Sequence, residues 1–175
     1  MKEMYHSPYE AYPFLAEDSE DLRCDFEILT DQLASQTGLL RALCSEEDIR
    51  QELMQINGLI YHANPSLRTG VSITPEEIRW LQERTEDWQQ RTQGRCEQFV
   101  LPQGSERGCL AHVLRTGCKQ AVRMIYRFWQ KGGKEERLVL DFFNLLSGYF
   151  FMLALELNGR DGVEEVPFIS RNYML

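Results

Sequence analysis

Apolar residues recur at spacings of three and four in five segments of this chain, and hardly any stretch alternates with the period of two that strands need. In the first segment they are Phe26, Leu29, Leu33, Leu40 and Leu43. This spacing is typical of amphipathic helices joined by short connections. The pattern predicts an all-α fold, an up-and-down five-helix bundle. The predicted helices span residues 25–44, about 46–62, 74 to about 94, 105–130 and about 135–158.

The length of the chain favours a single domain. Its 175 residues with 43% hydrophobic content are enough to bury one sizeable core. We predict an N-terminal arm over residues 1–24, a helical domain over 25–158 and a C-terminal tail over 159–175. The formal net charge of -8 argues against nucleic acid or an anionic membrane surface as a partner, because both would repel the chain.

The last predicted helix is apolar and long enough from Leu138 to Leu157 to cross a membrane. It nevertheless contains Asp141, Asn144 and Ser147, which are three residues apart and share one face. Polar groups of this kind favour a helix at the centre of a bundle or at a subunit interface, and this stripe should meet either other helices or a ligand. We therefore predict no membrane-spanning segment.

The five cysteines are odd in number and form no C-x-x-C pair, so the sequence predicts neither a disulfide framework nor a zinc site. The N-terminus has no apolar signal stretch. These two features predict a cytoplasmic protein without a metal centre.

Residues 99–123 combine an apolar loop with a row of cations. The loop runs through Pro102 and Gly104 into a helix that Ser105 is placed to cap. Further along, a cation recurs every four residues, so the cations share one face of the helix. They are Arg115, Lys119 and Arg123. This arrangement predicts a ligand that is part apolar and part anionic.

The same stretch resembles the signature of the PduO-type corrinoid adenosyltransferases. That signature runs F-V-L-P-G-G-S, then L-H, then R-T-V-C-R-R-A-E-R. The matching residues are Phe99, Val100, Leu101, Pro102, Gly104, His112, Arg115, Thr116, Cys118, Ala121 and Arg123. Lys119, Gln120 and Val122 depart from it, since the family has Arg, Arg and Glu there.

Two more segments carry the resemblance, and one departs from it. LTDQLASQTG, from Leu29, is similar to the family's L-D-E-L-N-S-x-I-G and places Asp31 on the family's Asp. Asn144 and Ser147 fit the motif L-N-R-L-S-D. The family's Gly-rich segment that wraps the triphosphate of ATP is absent, because residues 1–24 contain no glycine.

The resemblance implies a helical bundle that is usually a homotrimer with ligand sites between subunits. It implies transfer of the 5′-deoxyadenosyl group of ATP, with Mg²⁺, to the corrinoid cob(I)alamin. Phe99 would then lie against the lower face of the corrinoid, where it excludes water and the lower base, and Asp31 and Arg115 would pair to hold the ring. Lys119, Arg123 and Asn144 would lie on the nucleotide side.

Simpler interpretations stand beside these roles. Phe99 alone is typical of a core residue, Arg115 of a surface charge and Asp31 of a solvated carboxylate. His112 is more typical of a hydrogen-bonded packing residue than of a ligand. Three functions therefore remain: an adenosyltransferase with an altered nucleotide site, a non-catalytic corrinoid-binding or sensing protein, and a helical interaction module. The sequence favours the enzyme.

Overall fold

A computed structural model describes residues 4–95, 97 and 99–172. Five α-helices account for most of this part of the chain, and its only β-pairing is an isolated bridge between Val100 and Pro167. The helices are α1 (Leu22–Leu43), α2 (Glu47–Ala63), α3 (Pro75–Arg91), α4 (Glu106–Gln130) and α5 (Arg137–Arg160). A short 3-10 helix, Asn64–Leu67, follows α2. The predicted all-α five-helix fold is confirmed.

Side-chain caps explain where α1 and α3 begin. α1 begins three residues before the predicted start because the Asp21 side chain accepts a hydrogen bond from the backbone N of Arg23 at 3.1 Å. α3 begins with the predicted capping box between Thr74 and Glu77. α5 runs two residues past its predicted end.

The division into arm, helical domain and tail stays a prediction, and residues 1–3 and 173–175 lie outside the described chain.

α5 is the central helix of the bundle. It packs against α3 and α4, while α1 packs against α2 and α4. Phe142, Phe143, Tyr149 and Phe150 of α5 are completely buried. By length and composition this helix could cross a membrane, but 56% of its apolar window is buried inside the bundle. Packing in the core therefore accounts for its hydrophobicity.

The N-terminal arm is attached to the bundle through Arg68. This guanidinium pairs with Glu17 at 2.8 Å and with Glu27 at 2.7 Å, and it lies 3.6 Å from the centre of the Phe14 ring. The Tyr12 hydroxyl also donates to Glu27. Burial alone would raise the pKa of Glu27, but the hydrogen bonds from Arg68 and Tyr12 outweigh it and lower that pKa. The arm thus lies against α1 in a defined position.

Candidate active site

The loop before α4 is fixed to the end of α5 by Asn158. This side chain is fully buried. Its Oδ1 accepts a hydrogen bond from the backbone N of Ser105 at 3.0 Å, and its Nδ2 donates to the carbonyl of Gln103 at 3.1 Å. Gly104, with a φ of +143°, and Gly108 leave the space that Asn158 fills, since a Cβ on either would lie 2.0 Å from its Oδ1. The predicted Ser105 cap is present, accepting from the backbone N of Gly108 at 3.1 Å.

The C-terminal tail forms the other support of this loop. The backbone N of Leu101 donates to the Val166 carbonyl at 2.8 Å, and the backbone N of Phe168 donates to the Phe99 carbonyl at 2.7 Å. The Phe99 side chain remains 80% exposed, so it is not a core residue. Phe168 and Ile169 are also exposed beside it. We call Phe99, Phe168 and Ile169 the apolar patch. The tail's part in it was missed by the sequence analysis, because nothing local in the tail indicates the pairing.

Arg115 and His112 lie together beside Phe151 of α5. The Arg115 guanidinium carbon is 5.7 Å from the centre of the Phe151 ring, and the His112 ring is 6.1 Å from it. The Nε of Arg115 and both ring nitrogens of His112 are buried and have no hydrogen-bond partner among the described residues. His112 is thus a packing residue, as predicted, but without the predicted hydrogen bond.

Burial lowers the pKa of both side chains. It lowers the pKa of His112 to about 4, and the nearby Arg115 charge acts in the same direction. His112 is therefore neutral at pH 7. Burial also lowers the pKa of Arg115. Arg115 is only partly buried, but its buried Nε lacks an acceptor among the described residues.

Asp31 does not meet Arg115 within the chain. Its carboxylate is exposed on α1 and accepts a hydrogen bond from the Tyr61 hydroxyl of α2 at 2.6 Å. Arg115 instead lies against Phe151 of α5. The predicted pair is therefore not an interaction within one chain, because the two side chains are directed to different helices.

Lys119 and Arg123 line a groove between α1 and α4. Arg127, four residues further on, adds a third cation to it. The remaining lining residues are Leu29, Gln120 and Met124. Sequence analysis missed Arg127, although extending the four-residue spacing by one step would have found it. Arg115 does not line this groove, so the predicted row of cations is divided between two surfaces.

The polar stripe of α5 is only partly buried. Ser147 is buried and donates to the carbonyl of Arg115 at 3.1 Å, which ties α5 to α4. Asp141 and Asn144 are exposed, and Asn144 donates to the Leu140 carbonyl one turn earlier. Ser147 thus meets another helix, as expected of this stripe, whereas a ligand contact of the exposed Asp141 and Asn144 stays a prediction. An exposed Asn144 remains available to a ligand.

The apolar patch and the cationic groove together match a ligand pair that is part apolar and part anionic. They lie on different elements, the patch on the loop before α4 and on the tail, and the groove between α1 and α4. Lys119 follows the capping residue Ser105 by 14 positions, which along an α-helix corresponds to about 21 Å. Charge and apolar surface are therefore supplied by two different parts of the chain, the groove between α1 and α4 and the patch on the loop and tail.

Comparisons with known proteins identify the family of the chain. The profile of the family described as cobalamin adenosyltransferase matches residues 19–157. The corrinoid adenosyltransferase of Bacillus subtilis (strain 168) is 29% identical over 160 residues, covering 86% of this chain and 82% of that protein.

Solved structures show the same fold. One variant of the PduO-type ATP:corrinoid adenosyltransferase from Lactobacillus reuteri, complexed with cobalamin and ATP, superposes with a TM-score of 0.77 at 24% identity and covers 86% of this chain and 87% of that one. A second variant, complexed with ATP, has the same TM-score at 26% identity and covers 85% and 88%. Since the profile spans nearly the whole helical part, the chain belongs to the cobalamin adenosyltransferase family.

Proposed function

We propose that this protein is an ATP:cob(I)alamin adenosyltransferase, which transfers the 5′-deoxyadenosyl group of ATP to the cobalt of a corrinoid. The observation that carries the proposal is Phe99, an aromatic side chain that is 80% exposed on a loop held by both α5 and the tail. A large exposed apolar group on a well-held backbone is typical of a binding surface. The family membership supports a corrinoid as the ligand of this surface.

The apolar patch serves the corrinoid. A phenyl ring against the lower face of the macrocycle excludes water and the lower base from the cobalt. Co(II) without a lower ligand is easier to reduce to Co(I), which is the nucleophile of the reaction. Phe168 and Ile169 extend the water-excluding surface, because they lie beside Phe99 on the paired tail.

The cationic groove serves the nucleotide. In the transfer, the Co(I) electron pair forms the bond to C5′ of ATP, the C5′–O bond breaks, and triphosphate leaves with that bond's electrons. Lys119, Arg123 and Arg127 provide positive charge for the leaving triphosphate, which binds together with Mg²⁺. Asn144 is exposed on the neighbouring helix and offers a hydrogen bond on the nucleotide side.

The complete site lies between subunits of a homotrimer. About 21 Å of α4 separates Ser105, which follows the Phe99 loop, from Lys119 in the groove, and this separation supports a site whose patch and groove come from neighbouring chains. The same contact would bring the exposed Asp31 of one subunit to the unpaired Arg115 of the next. We further propose a cytoplasmic protein that binds neither nucleic acid nor a membrane, in keeping with its net charge of -8.

One set of residues favours a second function, corrinoid binding without catalysis. The family's Gly-rich phosphate segment is replaced by an arm that Arg68 holds against α1. Lys119, a point charge, stands where the family has the bidentate Arg. Val122 stands in place of a Glu and supplies no acceptor.

An anaerobic absorbance assay separates these functions. Cobalamin and a strong reductant are followed with and without Mg-ATP for formation of the cobalt–carbon bond. Product formation supports the enzyme, whereas a corrinoid spectral shift without product supports a binding protein. No response at all leaves a helical interaction module and refutes both. Phe99→Ala should abolish the Co(II) spectrum of the form without a lower ligand. The exposed Met54 of α2 provides the control, since Met54→Ala should leave that spectrum unchanged.

A further inference from the structure

The position of the Phe99 ring depends on its backbone, because most of its side chain contacts solvent. That backbone is held by the tail. The Phe99 carbonyl accepts from the backbone N of Phe168 at 2.7 Å, and the backbone N of Leu101 donates to Val166 at 2.8 Å. The position of the Phe99 backbone therefore depends on the position of the tail.

The tail is anchored by a buried carboxylate that directly precedes the paired residues. The Glu165 side chain is 7% exposed. Its two oxygens accept hydrogen bonds from Nδ2 of Asn158 at 3.2 and 3.3 Å, and one of them also accepts from Arg95 at 3.3 Å. Arg95 donates in addition to the Val163 carbonyl at 2.6 Å. We call Arg95, Asn158 and Glu165 the Glu165 network.

This network joins both ends of the Phe99 loop. Arg95 precedes Phe99 by four residues, and Gln103, whose carbonyl accepts from Asn158, follows it by four. Glu165 contacts the first end directly and the second end through Asn158. Fixing both ends of a short loop leaves little conformational freedom to the residue at its middle.

We infer that Glu165 is a positioning residue for Phe99: its buried carboxylate holds the loop and the tail together so that the exposed ring stays where the corrinoid face must meet it. This role rests on the proposed function. Hydrogen bonds to an ionised carboxylate are stronger than neutral ones. Without the carboxylate, Arg95 and Asn158 would keep buried donors that have lost an acceptor.

The first test is hydrogen exchange in the full-length protein. In Glu165→Ala the backbone amides of Leu101 and Phe168 should exchange about tenfold faster or more, as expected for the loss of a charge-assisted hydrogen bond. Glu165→Gln keeps one acceptor oxygen, so its exchange rates at these two amides should lie between those of wild type and Glu165→Ala. Glu164 is exposed, so Glu164→Ala is the matched control and should exchange like wild type.

The second test uses the Co(II) corrinoid and Mg-ATP for the spectrum, and adds a strong reductant that supplies Co(I) for turnover. In Glu165→Ala the spectrum of the form without a lower ligand should weaken and kcat should fall about tenfold, while KM for ATP changes less than twofold, because the groove is untouched. In Glu165→Gln both the Co(II) spectrum and kcat should lie between those of Glu165→Ala and wild type. If Glu165→Ala does not fold, the same measurements on Glu165→Gln decide.

The outcomes are distinct. Unchanged exchange at Leu101 and Phe168 would show that Glu165 does not hold the loop. Faster exchange with an unchanged Co(II) spectrum and kcat would overturn the positioning role while leaving the proposed function intact. If the wild-type protein itself gives no corrinoid response, both the proposed function and the positioning role fail. This outcome differs from the previous one, in which the wild-type protein responds and Glu165→Ala responds equally.

Discussion

Replacing Gly108 by alanine should destabilise the protein, although alanine is the better helix former. Gly108 lies in the first turn of α4, and an added Cβ would be 2.0 Å from Oδ1 and 2.8 Å from Cγ of Asn158. Asn158 is fully buried, so its side chain has to leave its place. It would then lose its hydrogen bonds to the backbone of Ser105 and Gln103.

The two opposing terms differ in size. Alanine gains about 1 kcal/mol of helix propensity over glycine. Breaking the buried hydrogen bonds of Asn158 costs about 3 kcal/mol, because backbone groups are left unpaired. The free energy of unfolding should therefore fall by about 2 kcal/mol, and Tm by about 6 °C for a chain of this size.

Gly58→Ala is the matched control, since nothing lies within 4 Å of a Cβ added there in α2. This variant should gain only the helix propensity of about 1 kcal/mol, which should raise Tm by about 3 °C. Both variants are compared with wild type by thermal unfolding at one protein concentration. If Gly108→Ala raises Tm as Gly58→Ala does, then Asn158 is not held as described and the argument for the loop fails with it.

Three further predictions concern the site. The pKa of His112 is lowered to about 4 from an ordinary 6.5, so the fold favours the neutral ring; its contribution to stability is complete above about pH 6.5 and is lost as the pH falls toward 4. His112→Phe should therefore flatten the dependence of Tm on pH in that window, and an unchanged slope would contradict the assignment. Lys119→Arg should lower KM for ATP several-fold, because a guanidinium offers a bidentate contact to phosphate; an unchanged or raised KM would place the triphosphate elsewhere. Asp31→Ala and Arg115→Ala should each weaken corrinoid binding by about tenfold and should not add in the double variant, whereas additive losses in a binding titration would argue against a contact between subunits.

Local sequence signals were sufficient for the helices. The Thr74 capping box and the Ser105 cap depend on residues three positions apart, and the apolar spacing of α1 depends on one helix face. Such features are determined within a single turn or two of helix. The number and type of elements could therefore be predicted, with bounds correct to within about three residues.

Contacts between distant residues could not be predicted in the same way. Asn158 joins Ser105 across 53 positions, and neither residue carries a local sign of the other. The hydrogen bond between Phe168 of the tail and Phe99 likewise has no local sign in the sequence of either segment. Asp31 shows both cases: its role toward a ligand follows from a motif position and stays a prediction, whereas its hydrogen bond to Tyr61 depends on how α1 and α2 pack and could not be predicted.

Because α5 is the central helix and follows the other four described helices along the chain, the order of synthesis matters for folding. α1 and α2 can pair as soon as they are made, but α3 packs mainly against α5 and must wait for it. Until α5 is buried, its mean hydropathy of 1.8 is that of a membrane span. We expect a chain that stops before Arg137 to lose cooperative unfolding. The newly made protein therefore completes its core only when its most aggregation-prone helix arrives.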